Sequence, residues 1–228
     1  MGLEALPSAA WGIPRGEMTL IALSAAYGAG GSQIGPALAE RIGVPFIDRG
    51  IALAVAERLD IPVDDALAHE EPSSRSLLER LLSGFLGADP GAPAPLPSDT
   101  ITPEDFHRAS QEALLAQAAT GHGVILGRGA VAGLRKDPQV MRVRLTGPVE
   151  RRIEHAMAVR DLDRDTAART VRALDRAHAD YLRQFYDVDI LDPELYHLMI
   201  DATAFDADVC VELIVSAVEA FEASSGSF

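Results

Sequence analysis

Residues 19–42 read TLIALSAAYGAGGSQIGPALAERI, and this stretch decides the fold. Its first six residues are almost continuously apolar, which is typical of a buried strand. A glycine-rich turn from Gly28 to Ser32 follows directly, and after it Ile34, Leu38 and Ile42 recur at helical spacing. The stretch therefore predicts a strand, a glycine loop and a helix in succession.

The rest of the chain continues the alternation of strands and helices. Apolar runs predict further strands at 44–48, 123–126 and 198–200, and the alternation of MRVRL predicts another at 141–145. Helical patterns occupy 51–59, 74–86, 103–119, 164–186 and 206–222. Most of the strands are apolar on both faces, which is typical of a parallel sheet covered by helices on each side. The expected fold is therefore α/β, with three layers built on a parallel sheet of about five strands.

Length and composition favour one main domain. The chain has 228 residues, 48% of them hydrophobic, which is enough to bury one sizeable core. We expect a flexible tail over residues 1–17, which lacks the pattern of a signal peptide, and a single domain over 18–228. Inside that domain we expect a helical and proline-rich insertion at about 60–103 and an arginine-rich, lid-like helical region at about 158–186.

The chain is acidic, with a formal net charge of −14 and an isoelectric point near 4.7. Nucleic acids and anionic membranes attract basic surfaces, so we expect neither as a partner. No apolar run is long enough to span a bilayer. The single cysteine, Cys210, is expected to be buried and inert, and it fits a reducing compartment such as the cytoplasm. A bound phosphate must then be held locally, by arginines and backbone N–H groups.

The glycine loop lies where an α/β sheet presents backbone N–H groups and a helix N-terminus to an anion. Glycine is needed there because side chains would block the close approach of a phosphate. The Walker A pattern G-x-x-x-x-G-K-[ST] is not met, since Ala25 stands at its first glycine and Gly31 at its lysine. That lysine ordinarily offsets charge on the β and γ phosphates. A tight strand-to-helix connection without a ligand is the alternative interpretation.

The opening of the chain resembles that of the cytidylate kinases and, more closely, the cytidylate kinase-like family. Residues 24–32, SAAYGAGGS, are similar to the Ser-Arg-x-Tyr-Gly-Ser-Gly-Gly of that family, with Ala25 at the arginine. Asp48, Arg49 and Gly50 follow the second strand, as does the Asp-x-Gly of cytidylate kinases.

Three further segments extend the resemblance over most of residues 18–222. Gly127-Arg128-Gly129 resembles the Gly-Arg-Asp whose arginine holds the acceptor phosphate. The Arg-x3-Asp-x2-Arg spacing recurs in Arg176, Asp180 and Arg183. Residues 192–201, DPELYHLMID, resemble the strand that ends the core in both families.

The resemblance implies a P-loop NTPase-type fold with helical acceptor-binding and lid segments. It implies transfer of the γ-phosphate of ATP, with Mg²⁺, to a nucleoside monophosphate (CMP or dCMP) or a related small acceptor. The donor phosphates would lie on the glycine loop, with Ser32 or Gln33 facing the metal: Gly28, Ala29, Gly30, Gly31, Ser32 and Gln33. The acceptor would be held by Asp48, Arg49, Arg128, Arg176, Asp180 and Arg183, of which Arg128, Arg176 and Arg183 would also be catalytic.

Several of these residues also have a purely structural interpretation. Asp48 suits a helix N-cap, Arg128 suits a surface ion pair, and the arginines of 160–183 suit a solvated helix face. Because Ala25 and Gly31 remove both positive groups, a catalytically weak nucleotide- or phosphate-binding regulatory protein is the second functional hypothesis. The histidines lack the spacing of a zinc site. The apolar helix at 77–86 suits either the core or the interface of a homodimer.

Overall fold

A computed structural model describes residues 20–47, 103–127 and 129–225 of the chain. The strands in these ranges are β1 Leu20–Ala25, β2 Phe46–Ile47, β3 Gly123–Leu126, β4 Val140–Thr146 and β5 Leu198–Asp201. The α-helices are α1 Gly31–Ile42, α2 Pro103–Ala118, α3 Ala130–Gly133, α4 Val149–Arg160, α5 Arg164–Tyr186 and α6 Ala207–Ser225, and a 3₁₀ turn at Pro193–Leu195 precedes β5.

Most of the predicted elements fall in these ranges and are confirmed. The helix predicted at 164–186 is α5, and the strand predicted at 123–126 is β3. The predicted tail over 1–17, the helices at 51–59 and 74–86 and nearly all of the insertion at 60–103 lie outside the described residues.

The sheet has the strand order β2-β3-β1-β4-β5, and all four of its strand pairs are parallel. The central strand β1 pairs with β3 through Leu20 and Gly123, and with β4 through Leu20 and Val140. Parallel neighbours require crossover connections, which usually contain a helix. The arrangement confirms the predicted α/β fold with a five-stranded parallel sheet.

Side chains of β1 alternate between the two covered faces of the sheet. Ile21 and Leu23 join the core formed with α1 and α6, which includes the fully buried Ile214. Leu20 and Ala22 join the opposite core, formed with α2 and α3. Because these strand residues are at most 2% exposed, the ends of the strands are the places where such a sheet meets a ligand.

Helix α5 packs against α3 and α4 through one apolar stripe. Its N-terminus is capped by the Asp163 side chain, which accepts a hydrogen bond from the backbone N–H of Thr166 at 2.9 Å. The stripe follows one helix face, with steps of three, four or eight residues between its buried members. Its buried members are Ala167, Val171, Leu174, Leu182 and Tyr186.

Two predictions from composition are met by the described residues. None of their helices is long and apolar enough to cross a membrane. Cys210 is completely buried on α6, and burial raises the pKa of its thiol. A raised pKa keeps the thiol protonated, so the residue acts as a small core side chain.

Candidate active site

The glycine loop joins the end of β1 to the start of α1 at the carboxyl edge of the sheet. Gly28 and Gly30 have φ angles of 79° and 76°, in the left-handed region that glycine adopts without strain. Gly30 is the N-cap of α1, and no side chain caps that helix end. The first-turn N–H groups of α1 are therefore open to an anion.

Four successive or near-successive amides of the loop are unpaired within the described residues. They belong to Gly28, Gly30, Gly31 and Ser32. The other two residues predicted to contact the donor use their N–H groups inside the chain, since Ala29 donates to Ala26 O and Gln33 to Gly30 O, both at 3.0 Å. The loop thus presents a compact set of donors that matches an oxyanion.

The position of the Walker lysine is closed to a side chain. A Cβ atom added to Gly31 would lie 2.5 Å from the Cβ of Ala25 and 3.4 Å from a methyl group of Leu126. Gly31 is itself buried in the first turn of α1. The absence of the lysine is therefore built into the packing around the loop and is not a simple exchange of one side chain.

Two side chains of helix α4 donate hydrogen bonds to backbone carbonyl oxygens of the glycine loop. The Arg152 guanidinium donates to Tyr27 O at 3.0 Å, and the His155 ring nitrogen Nδ1 donates to Gly28 O at 2.9 Å. A Cβ atom on Gly28 would overlap the carbonyl oxygen of Arg152, so α4 and the loop are in direct backbone contact. The loop is consequently fixed in place by a neighbouring helix.

Arg152 is itself held by helix α5. Asp175 accepts from both terminal nitrogens of Arg152, at 3.0 and 2.7 Å, in the bidentate geometry that guanidinium and carboxylate favour. Arg152 also donates to Gly147 O at 3.0 Å, and its side chain is only 6% exposed. Asp175 of α5 therefore contacts Arg152 of α4, which in turn contacts the glycine loop.

A second arginine is buried at the base of the loop. Arg144 on β4 is 5% exposed and donates to Ser24 Oγ on β1 at 2.6 Å. These two residues are register partners across the parallel pair. The Arg144 guanidinium lies 6.0 Å from the ring centroid of Tyr196, at the outer limit of a cation–π contact.

His178 of α5 lies near this arginine. The pKa of His178 is lowered to about 4, chiefly by desolvation and also by the Arg144 cation, while Asp175 opposes the shift. The imidazole is therefore neutral at pH 7, when it carries one donor and one acceptor nitrogen.

The residues predicted to hold the acceptor divide into two groups. Asp48, Arg49 and Arg128 lie outside the described residues, next to the ends of β2 and β3. The others lie on the exposed face of α5, opposite its apolar stripe: Arg176, Asp180 and Arg183. The side chains of the last two are 62% exposed and 3.5 Å apart. The structure does not bring this triplet to the glycine loop, and its role as an acceptor site stays a prediction.

Sequence reasoning missed four residues that surround the loop: Arg144, Arg152, His155 and Asp175. One signal was present in MRVRL, residues 141–145, where two arginines interrupt a strand that the sheet buries. An arginine placed inside a buried strand requires a partner or a ligand. The contacts of the other three depend on how α4 and α5 dock, which no local pattern records.

The sheet order and the glycine loop after its central strand define a P-loop kinase-type fold. A family model described as "Cytidylate kinase-like family" matches residues 20–204, and the chain belongs to that family. The predicted resemblance is thereby confirmed. A comparison with curated proteins finds no match.

Three solved structures share the fold. An uncharacterized protein from Eubacterium ventriosum is similar with a TM-score of 0.61 and 17% identity, over 88% of this chain and 98% of that one. Shikimate kinase from Bacteroides thetaiotaomicron gives 0.52 and 15%, over 89% and 99%. A gluconokinase from Sinorhizobium meliloti gives 0.51 and 16%, over 90% and 94%. At these identities the likeness establishes the fold, and together with the family it supports a phosphotransferase.

Proposed function

We propose that this protein is an ATP-dependent phosphotransferase that moves the γ-phosphate of ATP to a nucleoside monophosphate, CMP or dCMP, or to a related small acceptor. One observation carries the proposal: the unpaired amides of Gly28, Gly30, Gly31 and Ser32 lie together at a helix N-terminus, on the carboxyl edge of a kinase-type sheet. Such an arrangement binds phosphate without any charged side chain. Family membership then favours a nucleotide as the acceptor.

Mg²⁺ fits the residues of the loop. Among the described residues no cluster of three or more His, Cys, Asp or Glu side chains forms a metal cage. Mg²⁺ needs no such cage, because it keeps several waters and is bound through few protein oxygens plus substrate phosphates. Ser32, exposed in the first turn of α1, would supply one hydroxyl oxygen. When bound, the ion would neutralise the negative charge that develops on the phosphates during transfer.

The chain's own residues would position and stabilise the reacting groups. In the transfer, an acceptor oxygen forms a bond to the γ-phosphorus while the bond from that phosphorus to the β–γ bridging oxygen breaks, and ADP leaves with the electron pair. The acceptor oxygen gives up its proton, if it carries one, to solvent or a base. Loop amides would hold the donor, and the acceptor contacts proposed from the family motifs are Asp48, Arg49, Arg128, Arg176, Asp180 and Arg183. Positioned positive charge supplies most of the catalysis in this chemistry.

A catalytically weak binding protein is the second candidate, and the packing at Gly31 favours it. The loop lacks a lysine and has no room for one next to Ala25. A protein with this loop would still bind a nucleotide through its amides, while the stabilisation of charge at the γ-phosphate would be reduced.

ADP release separates the two candidates. The purified protein is incubated with Mg-ATP and each of a panel of nucleoside monophosphates, and ADP is measured against a no-acceptor control. Calorimetry measures ATP binding in parallel. Acceptor-dependent ADP release supports the phosphotransferase. If ATP binds but no acceptor gives ADP release above background, the phosphotransferase proposal is wrong and the binding protein is favoured.

One variant pair tests the acceptor side. Arg128→Ala should raise the KM for the acceptor at least tenfold while the Kd for ATP stays within about twofold, because the arginine is assigned to the acceptor phosphate. Arg151→Ala is the matched control, since Arg151 is an arginine of α4 whose side chain is 54% exposed. Equal losses of acceptor and ATP binding in Arg128→Ala would show that the acceptor site is wrongly assigned.

A further inference from the structure

Arg144 is a buried cation that forms no ion pair within the described residues. It is 5% exposed, and its one hydrogen bond within the described residues goes to the neutral hydroxyl of Ser24. A guanidinium carries five N–H donors, so most of them have no protein acceptor. Asp175, the carboxylate that raises the pKa of Arg144, already accepts from Arg152 with both oxygens.

The burial of such a charge lowers the stability of the folded protein. An isolated charge moved into a protein interior loses several kcal/mol of hydration unless a counter-charge and hydrogen bonds replace it. Desolvation accordingly lowers the pKa of the Arg144 guanidinium, and the Arg152 cation acts in the same direction. Tyr196, whose ring centroid is 6.0 Å away, and Asp175 act in the opposite direction, but the pKa of the guanidinium remains lowered. An anion bound from solution would supply the missing counter-charge.

The unused donors of Arg144 are open to a ligand. In the described part of the chain, the one fully enclosed side-chain polar atom without a partner is Ser110 Oγ. The free N–H groups of Arg144 are therefore not sealed in the core. His178 of α5 is a second polar side chain near Arg144, whose charge acts on its pKa, and it too has no hydrogen bond within the described residues.

Arg144 lies on the side of the sheet that faces away from α1. Ser24 and Arg144 share the sheet face of Leu20 and Ala22, opposite the face that α1 covers. The open amides of the loop lie at the N-terminus of α1, which is the place proposed for the donor phosphates. A group bound by Arg144 would approach the same strand ends from the other face.

We propose that Arg144 binds the phosphate group of the phosphoryl acceptor, with His178 beside it as a hydrogen-bonding partner. That the bound molecule is a phosphoryl acceptor rests on the proposed function. The binding of a phosphate monoester at Arg144, however, does not require turnover. It provides positive charge near the transferred group in a chain whose phosphate loop has no lysine. Arg144 is thus a substrate-contacting residue of a strand whose other residues are structural.

Three variants test the site. Arg144→Met removes the charge and keeps much of the bulk, and Arg144→Lys keeps a point charge without the planar fork. Arg142→Met is the matched control, because Arg142 lies two residues earlier on the same face of β4 and is already engaged with Leu195 O at 2.9 Å and with the His197 ring. The probes are inorganic phosphate, CMP and ATP, each added alone to the full chain. Kd is measured by calorimetry, and the midpoint of thermal unfolding is measured with and without each probe.

We expect phosphate and CMP to raise the unfolding midpoint of the native protein. Arg144→Met should weaken both by at least tenfold and leave the Kd for ATP within twofold, Arg144→Lys should be intermediate, and Arg142→Met should match the native protein. The ligand-free Arg144→Met variant should be at least as stable as the native protein, since it removes an uncompensated charge.

Several results would overturn the assignment. A stabilising response to phosphate and CMP that survives in Arg144→Met would do so, as would the absence of any response in the native protein. A selective loss of ATP affinity would place the donor at Arg144 instead. A large loss of ligand-free stability would make the residue structural. Because each readout is a binding or stability measurement, a failure of phosphotransfer in the ADP assay would leave this test unaffected.

Discussion

The contact between Asp175 and Arg152 offers the sharpest test of how the phosphate loop is supported. Asp175→Asn removes the charge that compensates a guanidinium whose side chain is only 6% exposed. Breaking a fully buried ion pair by removing one partner costs about 3–5 kcal/mol. Asp175 is 34% exposed and asparagine retains one acceptor oxygen, so we expect a smaller loss of about 2 kcal/mol in the free energy of unfolding.

Urea denaturation followed by far-UV circular dichroism measures that loss. Asp180→Asn is the matched control on the same helix, because its 3.5 Å pair with Arg183 joins side chains that are both 62% exposed. Exposed pairs of this kind contribute about 0–1 kcal/mol. ATP affinity should also fall in Asp175→Asn alone, since Arg152 would hold Tyr27 O less firmly. If both variants have equally small effects on stability and ATP binding, then α5 does not hold the loop in place through α4.

The remaining predictions concern single positions around the loop. Gly31→Lys should destabilise the protein by about 1–3 kcal/mol through the overlap with Ala25, and adding Ala25→Gly should recover part of that loss, both measured in urea. Gly28→Ala should cost about 3 kcal/mol, because it combines a positive φ with backbone overlap, whereas Gly43→Ala, with φ 72° and open space, should cost about 1 kcal/mol. His178→Gln should flatten the dependence of unfolding free energy on pH between about 4 and 6.5.

The sign of the last prediction follows from the lowered pKa of His178. Its folded value of about 4 lies below the ordinary 6.5, so the unfolded chain binds more protons between these values. The native protein should therefore lose stability as the pH falls through this window, by up to about 1.4 kcal/mol per pH unit from this residue. The difference between native protein and variant isolates the effect from the carboxylates. An unchanged slope would mean that His178 is not desolvated when the protein is folded.

Much of the fold could be predicted because its signals are local. Most of the described strands are short apolar runs, and α5 follows from a stripe at helical spacing together with the capping residue Asp163. The glycine loop could also be predicted, because Gly28 and Gly30 occupy positions where the backbone is left-handed. The same helical spacing places Arg176 and Arg183 on the face opposite the stripe, a consequence that motif matching alone did not draw.

The surroundings of the loop could not be predicted, because they depend on contacts between distant segments. Arg144 meets Ser24 through the register of two strands 120 residues apart, and Arg152 meets Tyr27 across 125 residues. The crowding between Gly31 and Ala25 arises only when the loop has closed over the end of β1. No periodicity or spacing in the sequence carries this information, since it is set by how the helices dock on the sheet.

The attachment of the loop to α4 through carbonyl oxygens also determines which way its amides face. In a planar trans peptide the C=O and the following N–H point in opposite directions. Because Arg152 fixes the oxygen of Tyr27, the N–H of Gly28 in the same peptide is turned away from α4. The loop therefore has an anchored side and a receptive side, and its backbone entropy is lost when the protein folds. Nucleotide binding to such a preorganised loop should require little further ordering of the main chain.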